Sequence, residues 1–254
     1  MSIRVPKATL SHLASAPLKV AVAQVRYSPV HAVANRDLVA EFEAKLDDRY
    51  VPANPQAAQR FTIQGGPGAP PGSVVPSAES DTVWPFRDDS RGYVVSLGHA
   101  SLAVEADASY HDFPQFLHEF SVAVNACAEI FQPKREIRLG LRYINEISDQ
   151  RLSHEVQSVI NPKLVLPLGG AVQGGLLRSF GELRVAEELG TFVIRHGLGE
   201  DSSYLLDFDY FAEGERAFDP VRAIENIEGF HTLIERFFVW TLARSYLAEL
   251  KRGR

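Results

Sequence analysis

Residues 135–147 alternate more cleanly than any other stretch of the chain. Ile137, Leu139, Leu141 and Tyr143 fall on one parity, and Arg138, Arg142 and Glu146 on the other. Side chains of a strand point alternately to opposite faces, so this pattern predicts a strand with one face in the core and one charged face. A period near 3.6 takes over at 112–131. There Phe113, Phe116, Leu117, Phe120, Val124, Cys127 and Phe131 trace one stripe behind a capping Asp112 and an early Pro114. The same signals return at Asp219 and Pro220, where Ile224, Ile227, Phe230, Ile234, Phe237, Phe238 and Thr241 predict a long helix reaching about residue 250.

Weaker patterns fill the intervals. A β-branched run at 20–27 reads as a strand, and Asn35 caps a helix over 35–50 with Leu38, Val39, Phe42 and Leu46 inward. Short strands at 82–86, 93–97 and 101–106 form a meander, the last two joined by Gly98 and His99. A short helix follows at 153–160, then strands at 176–180, 181–187, 191–195 and 204–211. The prediction is an α+β fold: a largely antiparallel, curved sheet with the long amphipathic helices on one face. An N-terminal half, residues 1–150, and a C-terminal half, residues 151–254, are expected to form one globular unit. Each half runs from a meander through an Asp and an early Pro into an amphipathic helix, which raises an internal duplication. Prolines and glycines crowd 65–76, a composition that sustains neither helix nor ladder and predicts a loop.

Composition narrows the function classes. No apolar run approaches the roughly 20 residues of a membrane span, and Ser11, His12, Pro17 and Lys19 interrupt the N-terminal region as no export signal would, so a cytoplasmic location is expected. The single cysteine, Cys127, excludes an internal disulfide and a multi-cysteine zinc site within one chain. Because it lies on the apolar helical stripe, it reads as a core thiol rather than a nucleophile. A net charge of −6 speaks against nucleic acid as a partner. No H-E-x-x-H, G-x-S-x-G, phosphate loop or dinucleotide fingerprint is present, and the glycines at 169–170 and 174–175 fit none of these.

Two groups of residues carry candidate chemistry. Asp207 and Asp209 are two apart on a predicted strand and share a face, while Tyr204, Leu206, Phe208 and Tyr210 take the other. Such a pair is able to bind a divalent cation with His231 as a third group, or to pair with Arg138 and Arg142, whose fork geometry suits carboxylates. The arginine reading is preferred, and neither a metal nor a cofactor is expected. Trp84-Pro85-Phe86 marks a strand end, with its aromatics either presented to a partner or buried under the first helix.

The segment 138–145, Arg-Leu-Gly-Leu-Arg-Tyr-Ile-Asn, resembles the R-x-G-L-R-Y-I-N strand of a sporadically distributed prokaryotic family with no established activity. Val22-Ala-Gln-Val-Arg-Tyr27, Leu205-Leu-Asp-Phe-Asp209 and His231 extend the resemblance over almost the whole chain. It implies genes that move between genomes, hence a mobile or defence-related locus. The leading expectation is a noncatalytic binding or assembly module whose partner is another protein, with self-association open. Its candidate contact residues are Arg138, Arg142, Tyr143, Asn145, Asp207, Asp209 and His231. The competing expectation is a metal-dependent enzyme acting on a phosphate-containing substrate.

Overall fold

A computed structural model describes residues 5, 13, 15–63, 74–169, 178–199 and 203–253. In chain order its elements are β1 (Leu18–Tyr27), α1 (Arg36–Glu43), β2 (Val51–Pro52), β3 (Gln56–Ile63), β4 (Val74–Asp88), β5 (Tyr93–Gly98), β6 (Ser101–Ala106) and α2 (Phe113–Phe131). After them come β7 (Arg135–Ser148), α3 (Pro162–Gly169), β8 (Gly181–Glu187), β9 (Gly190–Leu198), β10 (Ser203–Ala217), α4 (Pro220–Thr241) and α5 (Arg244–Arg252). All the strands join one curved antiparallel sheet in the order β2-β4-β5-β6-β1-β7-β10-β9-β8, with β3 added on β4. The helices α1, α2 and α4 cover one face. No described helix is long and apolar enough to cross a membrane.

The sheet is symmetric about its centre. On either side of the β1–β7 pair stands a three-stranded meander whose last strand, β6 or β10, pairs with the strand that opens its half. Each meander then leads into a helix capped by aspartate. The Asp112 carboxylate accepts from Gln115 N, and that of Asp219 accepts from Val221 N and Arg222 N. In the β1–β7 register Gln24 faces Gly140, Ala23 faces Leu141 and Val25 faces Leu139. A local dyad through the Gln24–Gly140 pair therefore superposes Val25-Arg26-Tyr27 on Leu141-Arg142-Tyr143. By this topology the junction of the two like-ordered halves falls between α2 and β7, ahead of residue 150.

Apolar area removed from water supplies the main stabilisation of such a sheet and helix layer. Tyr27, Val95, Val104, Leu141, Leu206 and Phe208 line the covered face, with Phe116, Phe120, Ile227, Phe230 and Ile234 above them. Cys127 is fully buried among these residues, and burial pushes its thiol up to about 12. Phe86 is buried with its ring 5.5 Å from Phe42 of α1, and Trp84 donates its indole N–H to the Val33 carbonyl at 3.2 Å. The Trp84-Pro85-Phe86 segment thus lies under the first helix.

Several boundaries differ from the sequence expectation. The helix expected over 35–50 ends at Glu43, and Leu46 and Tyr50 reach the core from the loop beyond it. The expected last helix divides at Leu242, which bridges to Ile160 while Asn161 N and Ala243 N bond Thr241 O and Val159 O. The region 153–160 forms short 3-10 turns, not an α-helix, and α3 follows it. Within β7, a register shift opposite Arg26 and Tyr27 reverses the alternation. Ile137 is left 38% exposed, and Glu136 turns inward to meet Arg216 and Arg222. The proline- and glycine-rich run at 65–76 lies outside the described residues up to position 73, and its last three positions, expected as loop, belong to β4, where β3 pairs with them. The glycines at 170, 174 and 175 and the first two positions of the strand expected at 176–180 are also outside, and 178–180 form no strand.

Candidate functional site

β7 and β10 divide the seven candidate residues between two faces. Asp209 stands directly opposite Arg142 and Asp207 opposite Ile144, all on the face away from the helices. Arg142 reaches diagonally, and its Nε and Nη2 donate to Oδ1 and Oδ2 of Asp207 at 2.7 and 2.8 Å. This two-pronged geometry is what a guanidinium offers a carboxylate. Arg195 of β9 adds a bond from Nη1 to Asp207 Oδ2 at 3.3 Å, and its Nε holds Glu182 at 2.8 Å. Arg138 lies along its own strand and donates from Nη2 to both oxygens of Asp209 at 3.1 and 3.2 Å. The result is a continuous ladder of alternating charge across β7, β10, β9 and β8.

Gly140 makes the Arg138 contact possible. A Cβ there would sit 2.8 Å from Arg138 Nη1, so a side chain at 140 would displace the guanidinium from its place 4.4 Å above the Phe211 ring. The R-x-G spacing is therefore a statement about the sheet surface. Burial on this face is deep: Asp207 is 3% exposed, and the Asp209 and Arg138 side chains 15% and 17%. Burial pushes the Asp209 carboxyl above its ordinary range and outweighs the attraction of Arg138, Arg142 and Arg195. The Arg142 side chain remains 33% exposed.

Tyr143, Asn145 and His231 lie on the other face, under the helices. Asn145 is buried and donates to the Leu206 carbonyl at 3.3 Å. The Tyr143 hydroxyl lies 3.1 Å from His231 Nδ1 and 3.3 Å from the Tyr110 hydroxyl, while Phe113 stacks on the His231 ring at 3.6 Å. Burial lowers His231 to about 4 and raises Tyr143 well above its usual value, so at neutral pH both are uncharged. The sheet thus separates His231 from Asp207 and Asp209, which corrects the grouping of all three around one cation. The carboxylates are directed instead at guanidinium groups, and the described residues contain no group of three or more His, Cys, Asp or Glu able to hold a metal ion.

Arg195, Glu182 and Tyr110 take part in these clusters and were not singled out from the sequence, and Phe113 was read only as part of the apolar stripe of α2. The first two lie on the polar parity of their predicted strands, but what brings them together is the β8–β9 register, in which Glu182 stands opposite Arg195. A third cluster was not foreseen at all. Buried Asp88 and Glu119 share Arg91, and the Tyr50 hydroxyl donates to Glu119 at 2.9 Å. It ties the β4–β5 turn to α2 and the end of the α1 loop. His111 contacts the Asp112 carboxylate at 2.9 Å and so belongs to the helix cap.

No family model matches the chain, and no curated protein matches it.

Proposed function

We propose that the chain is a noncatalytic binding module that presents the open face of its sheet to another protein. The observation that carries this reading is the ladder through Arg142, Asp207, Arg195, Arg138 and Asp209, which fixes polar groups in place before any partner arrives. Preorganised side chains lose little conformational freedom on binding. Arg142 combines a locked position with one-third exposure, the features of an arginine anchor at an interface. Beside the ladder, Val22, Gln24, Ser96, Ala103 and exposed Glu105 lie on the same face. The resemblance to a sporadically distributed family supports a setting in a mobile or defence-related locus.

The test compares partner retention by the wild type and Arg142→Ala, using the intact chain as bait in extract of its own host. Asp207 keeps Arg195 in this variant, so the protein stays folded, with a loss of about 1–2 kcal/mol. A partner held by the wild type and released by the folded variant supports the reading. Equal retention by both removes the ladder from the interface.

A further inference from the structure

The two ends of the sheet are built differently. At one end β4 carries both the two-residue β2, whose Pro52 has no N–H to offer a neighbour, and the eight-residue β3. At the other end β8 runs for seven residues without a proline and, among the described residues, pairs only with β9. Among the described residues no second strand lies along it, and a strand edge of this kind is a template for pairing with another chain. Its apolar side chains are also uncovered: Leu183 is 49% exposed, with Phe180 and Leu189 nearby in sequence at 51% and 38%. Leu183 faces the helix side with Ile194, whereas Glu182 faces the open side with Arg195.

We infer that β8 pairs antiparallel with β8 of a second copy of this chain, about a dyad at Leu183. The sequence is self-complementary about that residue. Pairing centred there sets Glu182 of each copy opposite Arg184 of the other on the open face, and Leu183 opposite its own counterpart on the helix face. Opposite charges directly across a strand pair are favourable, and like charges are not. Shifting the centre to Glu182 or to Arg184 brings a residue against its own charge, and shifting it to Val185 sets Leu183 against Glu187. Only the Leu183 register matches both charge and apolarity. The product is one continuous sheet through both copies with the helices on a common side, a closed two-fold contact that does not propagate. The contact shares Glu182 with the ladder, where Arg184 and Arg195 of the same chain already hold both of its oxygens. Arg184→Glu leaves Arg142, Asp207 and Arg195 in place, so it is the variant that separates the contact from the open-face reading.

Sedimentation of the intact chain is expected to show a concentration-dependent dimer. Arg184→Glu brings two carboxylates face to face across the strand pair and abolishes the dimer. Glu182→Arg does the same with two guanidinium groups. Mixing the two variants restores a dimer, because every cross-strand pair is again of opposite charge. Leu183→Cys supplies the geometric reading at an exposed site that tolerates the change. Cysteines facing each other across the dyad cross-link under mild oxidation, while buried Cys127 does not. A wild type that stays monomeric at every concentration overturns the inference. So does a dimer unaffected by Arg184→Glu, a Leu183→Cys variant that forms no cross-link, or an assembly that grows beyond two copies.

Discussion

Arg26 and Arg142 occupy equivalent places about the central dyad, yet the strands beside them differ in chemistry. On β6 the residues facing Arg26 and Gln24 are Ser101 and Ala103, and at the matching places on β10 stand Asp209 and Phe211. The helices differ in the same sense. Counted from the two caps, His231 of α4 corresponds to Val124 of α2, which is fully buried. Even the paired tyrosines diverge, since the Tyr27 hydroxyl donates to the Gly98 carbonyl at 2.7 Å and the Tyr143 hydroxyl meets His231 and Tyr110. The comparison teaches that one structural plan serves both halves with different chemistry: the N-terminal half joins buried Asp88 and Glu119 through Arg91, and the strands from β7 onward carry the charged ladder on the opposite face.

The largest effect is expected at Asp207. Replacing it by alanine leaves Arg142 and Arg195 without their shared carboxylate and is predicted to cost about 3–5 kcal/mol in denaturant unfolding. Ser101→Ala, on the opposite half, is predicted to stay within about 0.5 kcal/mol. Similar losses for the two variants would break the contrast between the halves. Acid sensitivity comes next. His231 is lowered to about 4 in the folded protein, so the unfolded chain binds the proton first as pH falls below about 6.5. Its contribution is complete above pH 6.5 and is lost as the pH falls through 4, a change of about 3 kcal/mol. In His231→Phe that part of the pH slope should vanish from melts recorded across this window, and an unchanged slope would place the sensitivity elsewhere. The smallest effect is the symmetric one. Asp112→Ala and Asp219→Ala each remove a cap and should each cost about 1 kcal/mol. Markedly unequal losses would show that the two helix starts are not equivalent.

The features readable from the sequence were those that a single element expresses. Asp112-Phe113-Pro114 and Asp219-Pro220 announce helix starts through local hydrogen bonding and a fixed φ, and both caps form as expected. Parity within β7 and β10 placed Arg138 and Arg142 on one face with Asp207 and Asp209, and the ion pairs follow from it. The same parity already assigned Tyr143 to the opposite face, so its inclusion with Arg142 in one candidate site set motif membership above geometry. Features that depend on two elements were not legible. The inward turn of Glu136 arises from a register shift against β1, and the break at Leu242 from a bridge to Ile160. Neither leaves a glycine, a proline or a change of period at the residue concerned.

The place of the dyad also determines the order in which the molecule can assemble. β1 starts at Leu18 and its partner β7 at Arg135, so a ribosome adding about 5–20 residues per second delivers the second strand several seconds or more after the first. During that interval β1 has β6 on one side and a bare edge on the other. Pairings between segments so distant along the chain close slowly even after synthesis, because the loop entropy comes due before the contacts form. The seam at the middle of the finished sheet therefore cannot close before β7 is made, and a nascent chain paused before Arg135 lacks the strand that pairs with the second edge of β1.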